Sequence, residues 1–181
     1  ASVSAMSRPS PREAPVSNGS ALRINEWLAD GVFPYVDDFI ELYNPDPLPV
    51  NLGGLYLNDN PIGQPTRHRI APLHFVGPYG YQVFVADGRT GAGPEHVNFS
   101  LALERGDIAL LAPDLKIIDC ITYGQQRTGV SQGRSPNGVS RIVYFDQPTP
   151  GAGIPIVPEP VAPILLILIP IDATFLWRYN D

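Results

Sequence analysis

The chain has 181 residues with 21 Pro and 17 Gly, a single Lys, and a net charge of −6. That length accommodates one ordinary domain with appendages, burying roughly 70% of the unfolded chain's surface, and two full domains would be cramped. A hydrophobic content of 44% with 9% aromatics excludes wholesale disorder, and so much Pro and Gly argues against long helices and for short strands joined by turns.

Residues 1–20 are Ser, Pro, Arg and Ala without periodicity, the composition of a flexible or assembly arm. No basic region followed by an apolar run opens the sequence, which reads as a mature or processed chain. Residues 21–153 alternate short apolar runs with turn clusters at the spacing of a β-sandwich. The expected strands are LRINEWLA from Leu22, DFIELYN from Asp38, GLYLND from Gly54, YQVFVAD from Tyr81, HVNFSL from His96, DIALLA from Asp107, LKIIDCITY from Leu115 and RIVYF from Arg141. The segments between them, GQQRTGVSQGRSPNG among them, are rich in turn residues. The region 154–181 opens with the Pro-rich spacer PIVPEPVAP and continues into ILLILI, a stretch that ends far short of the roughly 20 residues a membrane span needs.

The blocks INEWLAD (Ile24 to Asp30), DFIELYNP (Asp38 to Pro45), PVNLGGLYLND (Pro49 to Asp59), YQVFVADG (Tyr81 to Gly88), VNFSL with GDIALLAPD, IIDCITYG, SQGRSPNG and PTPGAG follow one another in an order that resembles the lamin tail domain of exported bacterial proteins. The resemblance covers residues of about 22–153 and neither extension. It implies an immunoglobulin-like β-sandwich without catalytic residues, in agreement with the strand count. The fold expected is therefore all-β: an immunoglobulin-like β-sandwich with extended N- and C-terminal arms.

Few residues suggest chemistry. The acidic balance leaves no basic face to neutralise phosphates, so no nucleic-acid partner is expected. One cysteine excludes a disulfide framework and a thiolate zinc site, and Cys120, within a strand-like run, reads as a small buried hydrophobe. Gly129-Val130-Ser131-Gln132-Gly133 fits the nucleophile-elbow pattern, but RSPNG after it cannot open the helix that presents the serine. The loop DGRTGAG lacks the lysine and helix of a phosphate cradle, and Arg105-Gly106-Asp107 reads as a tight turn. His68, His74 and His96 are scattered and read as exposed or capping. Asp30, Asp37 and Asp38, with Asn58, Asp59 and Asn60, supply hard oxygens that could converge on calcium, although the alternating spacing of a dedicated loop is missing. No other cofactor is expected. Glu26 is placed on the side of its strand shared with Leu22, Ile24 and Leu28, and Glu41 lies similarly in FIELY; acids on apolar faces must be hydrogen-bonded, paired or near an edge, and structural hydrogen bonding is the expected role of both. Two sequons, at Asn18 and Asn98, would carry glycan after export.

The C-terminal region bears most directly on function. Burying six aliphatic side chains is worth about 9 to 18 kcal/mol, so Ile164, Leu165, Leu166, Ile167, Leu168 and Ile169, with Phe175 and Trp177 beyond them, call for a cover. Packing on their own domain, starting a further domain, or donation to a neighbouring subunit as an added strand would each provide it. The expected function is a non-enzymatic extracellular structural protein, secreted or at the cell surface, that associates with itself through its arms as a filament subunit. The alternative is a binding or accessory module of a larger secreted enzyme, with the sequence ending inside the next domain.

Overall fold

The computed structural model describes residues 15–158. The expected subunit-interface residues Ile164 to Ile169, Phe175 and Trp177 lie outside them, as do the first fourteen residues of the N-terminal arm. In chain order the strands are β1 (Arg23–Leu28), β2 (Phe39–Tyr43), β3 (Val50–Asn51), β4 (Tyr56–Asn58), β5 (His68–Arg69), β6 (Phe75–Val76), β7 (Tyr81–Val85), β8 (Gly106–Leu111), β9 (Ile117–Tyr123), β10 (Ser131–Arg134) and β11 (Ile142–Phe145). A 3-10 turn at Thr90–Ala92 is the one helical piece among the described residues, and no helix there is long and apolar enough to cross a membrane.

The fold is an all-β sandwich. One sheet runs β11-β10-β1-β2-β7, the other β5-β4-β8-β9, and β3 and β6 form a small ladder of their own; every strand pair is antiparallel. Ile24, Trp27, Ile40, Leu42 and Phe84 from the first sheet meet Leu57, Ile108, Leu110, Ile121 and Tyr123 from the second. The Trp27 and Tyr123 rings lie 6.2 Å apart between the layers. A buried ion pair ties the sheets at one corner. Arg134 on β10 donates through Nη2 to Asp119 on β9 at 3.0 Å and through Nε to the Ile24 carbonyl at 2.8 Å, while the Ile24 amide donates to the same carboxylate.

The strands expected from alternating or continuous apolar runs form, with one exception. HVNFSL makes only isolated bridges, a parallel one of His96 with Val85 and an antiparallel one of Ser100 with Asp87, and no ladder. Strands β3, β5 and β6 are two residues each and carry no readable period. The unexpected element is β10, whose polar SQGR lay inside an expected turn cluster.

Three further expectations are corrected. A register shift between Ile24 and Glu26 makes Asn25 a β-bulge in β1. Because side chains alternate faces with period two, an extra residue reverses the phase beyond it. Leu22 and Ile24 therefore point into the core together with Trp27, whereas Glu26 and Leu28 point to the outer face of the sheet. Cys120 is exposed instead of buried: β9 is the edge of its sheet, and its buried side chains are Ile121 and Tyr123. The chain also does not leave the sandwich at residue 153. Ile154 is buried, and the backbone stays docked as far as Pro158.

Candidate functional site

Residues directly opposite one another in antiparallel strands share a face, so one row on the outer side of the five-stranded sheet reads Gly133, Glu26, Glu41, Val83 across β10, β1, β2 and β7. Both acids have 0% exposure. They are covered by residues 147–158, which leave β11 and return across the sheet as a strap.

The strap is held by the acids. The Thr149 amide donates to Glu26 Oε1 at 2.9 Å and its hydroxyl to Oε2 at 2.8 Å, and the Ser131 hydroxyl donates to Oε1 from β10 at 2.5 Å. The Gly151 amide donates to Glu41 Oε2 at 2.7 Å, and Asn25 Nδ2 reaches Glu41 Oε1 at 2.9 Å. The bulge puts Asn25 on this face as an organiser: its Nδ2 also donates to Asn137 Oδ1, and its Oδ1 accepts the Gly138 amide. Asn137 in turn accepts the Ile154 amide and donates to the Tyr81 hydroxyl. Beyond it, Ser135 Oγ donates to the Pro155 carbonyl and accepts the Val157 amide, and Arg141 Nη2 donates to the Pro158 carbonyl.

Two glycines make the docking geometrically feasible. A Cβ at Gly133 would lie 2.7 Å from Ile154 Cδ1 and 2.7 Å from the Asn25 carbonyl oxygen, so only hydrogen fits beneath the strap. Gly151 turns the strap with φ +81, a conformation that L side chains rarely adopt.

The electrostatics follow from burial. Removal from water pushes the Glu41 carboxyl up to about 7, and the charge of Glu26 adds to the rise; the hydrogen bonds from Asn25 and Gly151 act in the opposite direction. The hydrogen-bond partners of the pair are amides and hydroxyls, with no lysine, arginine or histidine among them. Acid pairs that cleave glycosides flank an open cleft, and here the strap's backbone occupies that space. The arrangement can hold a segment of chain; it offers no room for a substrate.

The other singled-out residues also have structural partners. Ser131 is fully buried, a donor to Glu26 on a strand instead of a nucleophile on a turn. Asp38 accepts the Asp30 and Leu101 amides, and burial raises its carboxyl; Asp30 accepts the Thr128 hydroxyl. Asp37 meets Arg89, which also binds Asp87, so the loop DGRTGAG is tied down by its own charges. Asn58 accepts the Asn60 amide and donates to the Gln64 carbonyl, and Asp59 pairs with Arg67. The oxygens expected to converge on calcium are thus divided among separate turns, and no group of three or more His, Cys, Asp or Glu is placed to hold a metal among the described residues. Gly106 and Asp107 belong to β8 rather than to a turn, with Asp107 accepting the Thr122 hydroxyl. His96 pairs with Asp87 at 2.8 Å and His74 stands 3.8 Å from Glu95, while His68, expected to be exposed or capping, is buried. Asn18 and Asn98 are both exposed.

The acids of the clamp were readable as carboxylates within strands. Asn137, Thr149, Gly151 and Gly133 carried no such signal, because each resembles an ordinary turn residue until the strap is in place, and Asn25 lay in an expected strand with nothing local to mark the bulge. No family model matches the chain, and no curated protein or solved structure does either.

Proposed function

We propose that the chain is a non-enzymatic, lamin-tail-like structural module with an immunoglobulin-like sandwich, exported to the cell surface or medium, that joins copies of itself through strand addition by its terminal segments. The observation that carries this reading is the docked strap. It anchors the backbone at Pro158, so the apolar run that begins at Ile164 starts six residues from a point fixed on the sheet, within about 22 Å of it. A segment so apolar gains most by pairing with another sheet, and heterologous pairing of that kind propagates into open assemblies. The N-terminal segment is docked as well: the Ser17 amide donates to the Pro49 carbonyl beside β3. Both sequons are on exposed loops, where a glycan would displace no core residue.

Light scattering and negative-stain microscopy of the full chain beside a deletion of residues 161–181 test the reading. Filaments or defined oligomers are expected from the full chain and monomers of unchanged melting temperature from the deletion; a full chain that stays a monodisperse monomer overturns it. The exposed aromatic tip of the hairpin formed by Val32 and Tyr35, where Phe33 is 89% exposed, favours a second reading as a binding module of a larger secreted protein. In that case the deletion leaves the oligomeric state unchanged, and Phe33→Ser weakens partner capture.

A further inference from the structure

Glu26 and Glu41 stand directly opposite each other on β1 and β2, both without solvent contact. Burial without a cation to offset it, and with the Glu26 carboxylate opposite, works against ionisation of Glu41 while the strap is closed. The titratable and charged groups facing Glu41 are few. Glu26 comes from β1 and the Tyr81 phenol from β7, stacked 5.1 Å from Tyr43 on β2. Arg23, one row away opposite Tyr43, donates its guanidinium to the Leu22 carbonyl instead. The strap brings amides and a hydroxyl at Thr149 and Gly151, and no charge.

Because the strap is what excludes water from these acids, lifting it would return Glu41 to solvent, where it ionises as an ordinary carboxylate. We propose that the strap is a proton-linked latch: closing it over the Glu26 and Glu41 pair takes up one proton, so acidification tightens the anchor of the C-terminal segment and a rise in pH loosens it. The proton resides on the Glu41 carboxyl, and no covalent step is involved. A carboxyl at Glu41 pushed up to about 7 agrees with this direction and sets the window, from its ordinary value of 4.5 up to about 7. This inference does not depend on what the C-terminal segment engages, so assembly and latch can fail independently.

Amide hydrogen exchange of the full chain between pH 5 and pH 8, corrected for intrinsic rates, tests it at Gly151 and Ile154, with Leu110 in β8 reporting global opening. Protection at Gly151 below that at Leu110 is expected, falling close to tenfold per pH unit within the window and levelling above it, as linkage to one proton requires. In Glu41→Gln that slope is lost. Protection at Gly151 that is independent of pH, or equal to that at Leu110 throughout, overturns the latch, as does an unchanged slope in the variant. If Glu41→Gln fails to fold, carbon-13 titration of the Glu41 carboxyl in the unaltered protein decides: a midpoint close to 4.5 overturns the proposal and one near 7 supports it.

Discussion

Glu41 gains little from its own burial, and the consequence is measurable in the pH dependence of stability. Its carboxyl lies at about 7 in the folded chain against 4.5 when free, so between those values the native state binds more protons than the unfolded state. Stability from this residue is therefore greatest below pH 4.5, falls as pH rises to about 7, and is level above, a change of about 3 kcal/mol across the window. Urea denaturation of Glu41→Gln beside the unaltered chain should show the difference between the two varying with pH in that direction. Glu26 serves otherwise: Glu26→Ala strips acceptors from the Thr149 amide, the Thr149 hydroxyl and Ser131, and each buried donor left unpaired costs about 1–3 kcal/mol. Gly133→Ala should destabilise by about 1–3 kcal/mol, since the new methyl meets backbone at the Asn25 carbonyl as well as Ile154. Gly124→Ala, where nothing lies within 4 Å of the added carbon, is the matched control. Native Cys120 should react with a maleimide, which a buried thiol would resist; partial desolvation and the nearby Asp107 and Asp119 raise the thiol and slow the reaction at neutral pH.

Among the elements, β1 and β10 depend most on their neighbours. The bulge at Asn25 lets β1 serve two faces, with Ile24 and Trp27 in the core and Glu26 under the strap. Strand β10 has little apolar content of its own; Glu26, the strap and its ladders to β1 and β11 define it. Its last residue, Arg134, is the corner brace to β9. Removing one partner of such a buried pair leaves the other charge uncompensated, so Asp119→Ala should cost about 3–5 kcal/mol, while replacing both Asp119 and Arg134 with apolar residues should recover a large part of the loss. Equilibrium unfolding of the two single variants and the double variant checks the coupling.

For the whole molecule, the strap makes the segment after β11 part of the folded body. A chain ending at residue 146 should keep both sheets yet expose Glu26, Glu41 and the space above Gly133, lowering its melting temperature and adding dye-accessible apolar surface. A chain ending at residue 160 retains every described strap contact and should melt like the full chain. Differential scanning calorimetry of the two truncations distinguishes a structural strap from a passive spacer.

The sequence by itself determined the all-β class, because Pro and Gly punctuate short runs such as FIELY and YQVFV whose composition suits a pleated surface. It also marked Glu26 and Glu41 as acids that strands must satisfy, and the structure satisfies both. Tertiary structure alone decided the face on which Glu26 lies, since one bulged residue reverses an alternation that a sequence displays as continuous. It alone assembled the clamp, because Thr149 and Gly151 reach acids more than one hundred residues earlier in the chain, and a hydrogen bond between residues so distant leaves no local period to read. It alone made a strand of Ser131 to Arg134, whose burial comes from what lies over them and not from their own side chains.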